Sequence, residues 1–396
     1  MQLQVRTFEM AEAPADLLDL APNPSGVLCW LGAEREILGW GTALQLEFSG
    51  RHAIREAAAA WREITMNTDG NPVALASFAF GSTATSYLTV PEVALVRDKD
   101  GTHIQTAAMD CEPLDEKAAL AGPIAGITSP SGLWTDPGRM TQSEWQHAVR
   151  RLIALLKSGA ASKVVLTRDM LVSSATPIDE RFLLKRLRTL YPTTWTYAVR
   201  GLVGATPEIL AAKKGDLVTS RILAGTAAPG DGETLLASLK DRAEHHFAVE
   251  SVARALAPLA EKIDVPNEPT LVDLPNVTHL ASNVAATVTG ASVLDIVHAL
   301  HPTAAVCGTP TSLAYDILEQ VEGTERGRYS GPVGWIDGTG DGEFGIALRC
   351  GQLNADHTRI RVFAGGGIMP DSVPAVELAE TRAKMRPVLE ALGLDD

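Results

Sequence analysis

Acidic and basic side chains stand at regular positions in the later part of the chain. Glu377, Glu380 and Lys384 are spaced i, i+3 and i+7, so they share one face of any helix that contains them. Lys163 starts an apolar segment, and Glu208 follows a Thr-Pro pair. Such groups transfer protons, and carboxylates also hold divalent cations. Taken singly, they also fit a solvated Glu–Lys stripe or a lysine whose stem covers apolar surface.

Three other patterns have simple explanations. Residues 337–343 resemble the start of an EF-hand loop, but Leu348 stands where the loop needs a bidentate Glu, so the segment predicts a turn. His245 and His246 are adjacent, so one helix cannot aim both at the same ligand. The Gly365–Gly367 run lacks the Lys of a phosphate-binding loop, which leaves a glycine turn as the alternative.

Sequence periodicity predicts the elements that carry these side chains. Thr141 and Glu144 form a capping box, which starts a helix that Gly159 closes. Similar signals predict helices at 53–64, 236–259 and 374–392, a helix with Thr309 as N-cap and Pro310 as its first residue, strands at 163–172, 345–350 and 359–364, and a strand on each side of the turn at 213–216.

Strands and helices intermix throughout, so the sequence predicts an α/β or α+β fold. Residues 112–137 contain repeated Pro and Gly and predict a long connection. We expect a single domain over residues 1–396, with a looser N-terminal portion, 1–137, and a catalytic portion, 138–394, that carries all the motifs.

Polar motifs occur in a fixed order within residues 140–392. They are Lys163-Val-Val-Leu-Thr-Arg168, Ala205-Thr-Pro-Glu208, Leu223-Ala-Gly-Thr226, Asp241-Arg-Ala-Glu-His245, Leu300-His-Pro-Thr303, Arg328-Tyr-Ser-Gly-Pro-Val-Gly-Trp335, Ala364-Gly-Gly-Gly-Ile368 and Glu377-Leu-Ala-Glu-Thr-Arg-Ala-Lys384. In this order they resemble the chorismate-utilising enzymes (the anthranilate synthase component I fold), and most closely the isochorismate synthases. The resemblance implies one large domain, with β-sheets packed around a deep active site and helices outside.

The resemblance also implies a reaction and its acid–base pair. Chorismate becomes isochorismate when water adds at ring C2 and the C4 hydroxyl leaves. Lys163 matches the base that deprotonates the water, and Glu208 matches the acid that protonates the leaving hydroxyl. For this chemistry near neutral pH, burial must lower the pKa of the lysine and raise that of the glutamate.

The same resemblance implies Mg²⁺ as cofactor. Glu244 and Glu380 match its carboxylate ligands, and Glu377 matches a group that acts through a water. An oxygen shell of this kind suits Mg²⁺. A bound cation also explains how a chain of net charge −14 holds a dicarboxylate.

The remaining matches concern substrate binding. The groups implied to bind the carboxylates or line the ring are Ala224, Gly225, Thr226, His301, Tyr329, Arg349, Gly365, Gly366, Gly367 and Lys384. Two positions depart from the family pattern: no Arg follows Thr226 closely, and Ala304 stands where a Pro is usual. Neither touches the implied acid, base or metal ligands.

Alternatives within the family differ in nucleophile or in a further step. A salicylate synthase would also eliminate pyruvate from isochorismate. Anthranilate and aminodeoxychorismate synthases use ammonia and a glutaminase partner, and the resemblance implies Gln at the position of Lys163 for them. An inactive binding paralogue should have lost an acid, base or ligand, and none is lost here. The product would serve menaquinone, siderophore or salicylate biosynthesis.

Composition restricts the remaining partners. A chain with 34 Lys and Arg against 48 Asp and Glu is poorly suited to nucleic acid or an anionic membrane. We expect chorismate as the bound partner, no glutaminase subunit, and a monomer. No basic and apolar leader stands at the start, so we expect a cytoplasmic protein. The widely spaced cysteines, predicted to be reduced core thiols, are Cys29, Cys111, Cys307 and Cys350.

Overall fold

Side chains alternate along the strands, so that each sheet carries apolar groups on both faces. In the strand Leu28–Leu31, Leu28 and Trp30 join one buried cluster, whereas Cys29 and Leu31 join another on the opposite face. A sheet that is apolar on both faces must be covered on both. The structure meets this requirement with two sheets in contact and helices on their outer faces.

The computed structural model describes residues 2–275, 277–323 and 325–394. Its strands are β1 (Leu3–Glu9), β2 (Leu28–Leu31), β3 (Glu36–Trp40), β4 (Leu44–Phe48), β5 (Val73–Ser77), β6 (Ser86–Val90), β7 (Val93–Asp98), β8 (Gly101–Met109), β9 (Trp134–Pro137), β10 (Lys163–Ser173), β11 (Trp195–Val199), β12 (Leu202–Thr206), β13 (Ile209–Lys214), β14 (Leu217–Ala227), β15 (Lys262–Asp264), β16 (Thr270–Leu274), β17 (Val277–Thr287), β18 (Gly308–Thr309), β19 (Pro332–Asp337), β20 (Gly342–Ile346), β21 (Cys350–Leu353) and β22 (Arg359–Ile368).

The helices are α1 (Ala53–Met66), α2 (Glu116–Ala119), α3 (Gln142–Lys157), α4 (Glu180–Leu190), α5 (Gly232–Ala237), α6 (Leu239–Leu256), α7 (Val293–Leu300), α8 (Thr311–Val321) and α9 (Pro374–Leu392), with a short 3₁₀ turn at Leu17–Leu20. Within the described residues none of these helices combines the length and the apolar run that a bilayer crossing requires.

The described strands form two sheets. The first has 12 strands in the order β1-β8-β7-β3-β2-β11-β12-β21-β22-β10-β18, with β9 beside β10. The second has 10 in the order β15-β17-β14-β13-β20-β19-β5-β6-β4, with β16 beside β17. Helices α4 and α9 cover the outer face of the first sheet, and α6 and α7 cover the second. The predicted mixed class is confirmed.

Strands from the N-terminal portion enter both sheets. β2 pairs with β11 in the first sheet, and β5 pairs with β19 in the second. Both sheets therefore continue across the predicted boundary between the N-terminal and catalytic portions at residue 137. The predicted connection at 112–137 contains the short helix α2 and the strand β9, which pairs with β10.

Several local predictions are confirmed and others are wrong by a few residues. The capping box of Thr141 and Glu144 is present at the start of α3. The single helix predicted at 236–259 is two helices, because Ser238 caps α6 afresh. Thr309 is not an N-cap but pairs with Lys163 in β18, and Pro310 takes the N-cap position of α8.

Two further corrections follow. The strand predicted at 345–350 ends at Ile346 and resumes at Cys350. Arg349, between them, has the left-handed φ of +48°. Cys29, Cys307 and Cys350 are buried as predicted, whereas Cys111 is exposed.

A buried ion pair joins α8 to strand β10. Arg326 donates from Nε to Glu322 at 2.8 Å, and both side chains are almost fully buried. The same guanidinium donates to the carbonyls of Val306, at 2.8 Å, and Val165, at 2.5 Å. Glu322 also accepts from the Thr167 amide at 2.6 Å. The pair therefore satisfies the backbone where β10 begins, next to Lys163.

Arg326→Met should destabilise the fold strongly. The change leaves the Glu322 carboxylate buried without its cation, which typically costs about 3–5 kcal/mol. We expect a loss of that size in the free energy of unfolding, measured with urea. Arg254→Met, which removes an exposed partner of Glu250, is the control and should change it by less than about 0.5 kcal/mol. Equal effects of the two changes would contradict the proposed role of the buried pair.

Candidate active site

A cavity of about 210 Å³ lies where elements of both sheets meet α6 and α9. Its lining includes many of the side chains singled out from the sequence. They are Lys163, Glu208, Ala224, Gly225, Thr226, Glu244, Tyr329, Arg349, Gly365, Gly367, Glu377, Glu380 and Lys384. Residues that are up to about 220 positions apart in the sequence thus face one space.

A bulge in β14 forms one wall of the cavity. Leu223 pairs with Ala281 and Thr226 pairs with His279, so two residues of β14 oppose a single residue of β17. Gly225, inside the bulge, has a φ of +84°, which glycine adopts without strain. The bulge turns the Ala224–Thr226 segment towards the cavity.

His245 ties this bulge to α6. Its Nδ1 lies 3.1 Å from the carbonyl oxygen of Ala224, and its Nε2 lies 2.7 Å from Oγ of Ser282. Burial lowers the pKa of His245, so the ring is neutral near pH 7. His246, the next residue, is exposed and lies 3.6 Å from Glu250. The two histidines point apart, and His245 fixes the helix that presents Glu244.

Lys163 and Glu244 form an ion pair across the cavity. Nζ of Lys163, at the start of β10, lies 2.5 Å from Oε1 of Glu244, and both side chains are largely buried. The side chain of Lys163 lies against Gly367 of β22. A Cβ added to Gly367 would lie 2.5 Å from Cε of Lys163. Only glycine at position 367 leaves room for the lysine in this position.

Glu208 is buried in the connection between β12 and β13, and no cation among the described residues is hydrogen-bonded to it. Burial raises the pKa of Glu208 to about 7, although Arg349, Lys163 and Lys384 each act in the opposite direction. A substantial fraction of this carboxyl therefore holds its proton at neutral pH. A group with this pKa can donate a proton under conditions where an exposed glutamate cannot.

Arg349, His279 and Thr226 form a chain of polar contacts. Nη2 of Arg349 lies 3.4 Å from Nε2 of His279, and Nδ1 of His279 lies 3.0 Å from Oγ1 of Thr226. Burial, together with Arg349 and Lys384, lowers the pKa of His279 to about 3, so its ring is neutral. Nε of Arg349 is buried and has no partner within the described residues. Its guanidinium thus retains a donor for an anionic ligand.

Helix α9 brings three of the predicted side chains to the cavity on one face. Nζ of Lys384 lies 2.5 Å from Oε1 of Glu380 and 3.0 Å from the carbonyl oxygen of Gly365. Burial raises the pKa of Glu380, but Lys384, His279 and Arg349 outweigh it and hold that pKa below its usual range. Oε1 of Glu377 accepts from Oγ of Ser372 at 2.6 Å.

Tyr329 closes the wall beside β22. Its ring stacks on Phe363 with centroids 5.1 Å apart. Burial raises the pKa of Tyr329 to about 12, so the hydroxyl keeps its proton and can donate a hydrogen bond. An added Cβ on Gly365 would lie 3.2 Å from that hydroxyl oxygen, so the glycine lets the ring approach the strand.

The side chains predicted to bind a metal face the same cavity, but two of these carboxylates form ion pairs with lysines. Glu244 is paired with Lys163 and Glu380 with Lys384. Among the described residues, no three His, Cys, Asp or Glu side chains are grouped closely enough to hold a metal. The donor atoms are all carboxylate oxygens, which is the chemistry that Mg²⁺ prefers. The residues present therefore fit such an ion by type.

Two predicted substrate groups lie elsewhere. His301 lines a different cavity, against the ring of Phe80, because it ends α7. Gly366 is not among the lining residues, since alternate residues of β22 face opposite sides. Sequence reasoning missed His279, because a single His in a strand that also carries Thr278 and Ser282 gives no distinct signal. The pairing of β17 with the bulge in β14 is what places it at the site.

The sequence is similar to those of known proteins. The sequence profile described as chorismate binding enzyme matches residues 30–393. The chain is 36% identical over 273 residues to isochorismate synthase DhbC of Bacillus subtilis, covering 64% of this chain and 68% of that protein. It is 32% identical over 298 residues to the vibriobactin-specific isochorismate synthase of Vibrio cholerae, covering 71% and 72%.

Solved structures extend the similarity over nearly the whole chain. DhbC from Bacillus anthracis superposes with a TM-score of 0.80 at 28% identity, covering 96% of this chain and 99% of that one. MenF from Escherichia coli, a menaquinone-specific isochorismate synthase, superposes with a TM-score of 0.83, covering 100% and 94%. Its identity of 22% shows a shared fold.

The raised pKa of Glu208 should make folding pH-dependent. The folded protein binds this proton up to about pH 7, whereas an exposed glutamate loses it near 4.5, so stability falls as pH rises through that window. Glu208→Gln removes the titration. We expect the variant to gain up to about 3 kcal/mol relative to wild type between pH 4.5 and 7.5, measured by urea unfolding. A difference between Glu208→Gln and wild type that stays constant over this pH range would exclude the raised pKa.

Proposed function

The chain belongs to the chorismate-binding enzyme family and is an enzyme of that type, and from this premise we propose that it converts chorismate to isochorismate. One observation carries the proposal beyond the family. Lys163 lines the same cavity as Glu208, whose pKa is about 7, and as the proposed carboxylate-binding groups. Water addition at C2 with loss of the C4 hydroxyl needs one group that accepts a proton and one that donates it.

Glu208 is the proposed acid. Its proton is available near neutral pH because burial disfavours the carboxylate. When the C4 hydroxyl leaves, a proton from Glu208 converts it to water and avoids the release of hydroxide. Lys163 is the proposed base: Nζ gives up the proton that it holds in the ion pair with Glu244 before it takes one from the attacking water. Its position beside Glu244 and over Gly367 fixes Nζ inside the cavity.

The two substrate carboxylates need separate positive or donor groups. Arg349 offers a buried guanidinium whose Nε has no partner among the described residues, and the hydroxyl of Tyr329 is a nearby donor. Arg suits a carboxylate because its donors match both oxygens. Lys384 and the backbone of Gly365 and Gly367 are the proposed second group.

Mg²⁺ is the proposed cofactor. Glu244 and Glu380 would hold it, with Glu377 acting through a water, and the ion would supply positive charge to a substrate carboxylate. Within this chain, Lys163 and Lys384 keep those carboxylates paired, which offsets the cost of burying them.

Water, and not ammonia, is the proposed nucleophile. Water is a weak nucleophile and needs a base, and Lys163 is the basic side chain suited to that role in its motif. The ammonia-using relatives are expected to carry Gln there. Ala224, at the corner where the aminodeoxychorismate branch places a Lys, can form no covalent adduct. No glutaminase subunit is therefore needed.

Purified protein given chorismate and Mg²⁺ should yield isochorismate as the product identified by chromatography, with no dependence on ammonium. Lys163→Gln should lower kcat at least about 100-fold, within the range of general base catalysis. Lys157→Gln, at an exposed end of α3, is the matched control and should be unaffected. An amino-substituted ring formed only with ammonium would overturn the proposal, and salicylate with pyruvate would assign a further elimination step.

Chelation should abolish turnover, and added Mg²⁺ should restore it. Glu244→Gln and Glu380→Gln should each remove most activity while leaving the fold intact by circular dichroism, because a neutral amide is a poor ligand for a hard cation. Glu250→Gln, an exposed carboxylate on the same helix as Glu244, should retain wild-type activity. Full turnover in excess chelator would remove Mg²⁺ from the mechanism.

A further inference from the structure

Lysine side chains occupy the positions at which a cation would meet Glu244 and Glu380. Nζ of Lys163 lies 2.5 Å from Oε1 of Glu244, and Nζ of Lys384 lies 2.5 Å from Oε1 of Glu380. Each of the four side chains is at most 30% exposed. The two carboxylates that are proposed to bind Mg²⁺ directly therefore each hold a cation that belongs to the chain itself.

Contacts outside the ion pairs help to keep both ammonium groups in place. The stem of Lys163 lies against Gly367, where an added Cβ would be 3.2 Å from Nζ. Nζ of Lys384 also donates to the carbonyl oxygen of Gly365 at 3.0 Å. Both glycines belong to β22, so one strand positions both lysines. The fold thus holds the lysines beside their carboxylates.

The cavity balances the charge of these carboxylates with side chains of the chain. Burial raises the pKa of Glu380, but Lys384 provides the largest opposing effect and keeps that pKa below its usual range. A divalent cation that approaches Glu244 or Glu380 meets a carboxylate whose charge is already compensated. Two cations in contact with one carboxylate repel each other strongly in a poorly hydrated cavity. The ammonium group and the metal ion therefore exclude each other.

From this geometry we propose that Lys163 and Lys384 are built-in competitors of the metal, and that each leaves its carboxylate before Glu244 and Glu380 bind a divalent cation. The inference rests on the Mg²⁺ site that is part of the proposed function. Competition keeps the affinity for the metal low and the ion exchangeable. The same exchange frees Nζ of Lys163 to contact water and Nζ of Lys384 to contact a substrate carboxylate.

Calorimetric titration of the full chain with MgCl₂, in the absence of chorismate, tests the competition. Lys163→Met and Lys384→Met keep an unbranched stem and remove the charge. Each should tighten Mg²⁺ binding at least about tenfold, because the charge-assisted hydrogen bond that the metal must otherwise break is worth about that factor. The titration is made at about pH 8.5, where the released carboxylates are ionised even if burial raises their pKa as far as that of Glu208, about 7.

Matched variants separate competition from a general change in charge or packing. Lys213→Met removes a buried lysine that pairs with Asp341 at 2.9 Å in a different cavity, and it should leave the Mg²⁺ affinity unchanged. Lys384→Arg keeps the cation and should not tighten binding. Adding Glu244→Gln to Lys163→Met should remove the gain, because the tighter ion is then deprived of its carboxylate.

The proposal is overturned if the variants of both lysines bind Mg²⁺ no more tightly than wild type, or if Lys213→Met gains as much affinity as they do. Where a Met variant does not fold by circular dichroism, the Gln variant at the same position replaces it. The readout needs no turnover, so it is distinct from the test of the reaction. Isochorismate formation without any gain in affinity would refute the competition alone, and a gain in a protein that forms no isochorismate would refute the reaction alone.

Discussion

Burial of charge in a cavity shared by the two sheets is the constraint on which the rest of this structure depends. An ionised group inside a protein must have a counter-charge or change its protonation state. Lys163 and Glu244 solve the problem by pairing, and so do Lys384 and Glu380. Within the part of the chain that the structure describes, Glu208 has no hydrogen-bonded cation, and burial raises its pKa instead. The same constraint thus produces a set of fixed charges and one proton donor within a single cavity.

Local backbone features place these charges, because regular strands would point them elsewhere. The bulge at Ala224 and Gly225 lets β14 face α6, where His245 holds it. Arg349 reaches the cavity from a left-handed position between two strands. Gly367 leaves space for the stem of Lys163. The bulge and Arg349 interrupt the regularity of the strands, whereas Gly367 lies in a regularly paired part of β22. The buried pair of Glu322 and Arg326 holds the neighbouring backbone.

Membership of the chorismate-binding enzyme family gives this cavity a chemical context. The proposed dicarboxylate substrate would suit a site with Arg349, Lys384 and backbone amides on its walls, and the raised pKa of Glu208 would suit the proposed departure of a hydroxyl group. The cavity beside His301 has a different lining, which includes Phe80, Pro302 and Tyr315. Binding of an anion in the active-site cavity depends on local groups, since the overall charge of −14 repels anions.

The sequence by itself determined the features that depend on neighbours along the chain. The capping box of α3, the extent of α9 and the common face of Glu377, Glu380 and Lys384 follow from helical spacing, and ordered motifs indicated the family. Tertiary structure alone decided which histidine reaches the site. His279 lies there because β17 pairs with the bulged strand, whereas His301 ends a helix that points to another cavity. Strand register and burial are long-range properties, so neither the position of His279 nor the pKa of Glu208 can be obtained from local spacing.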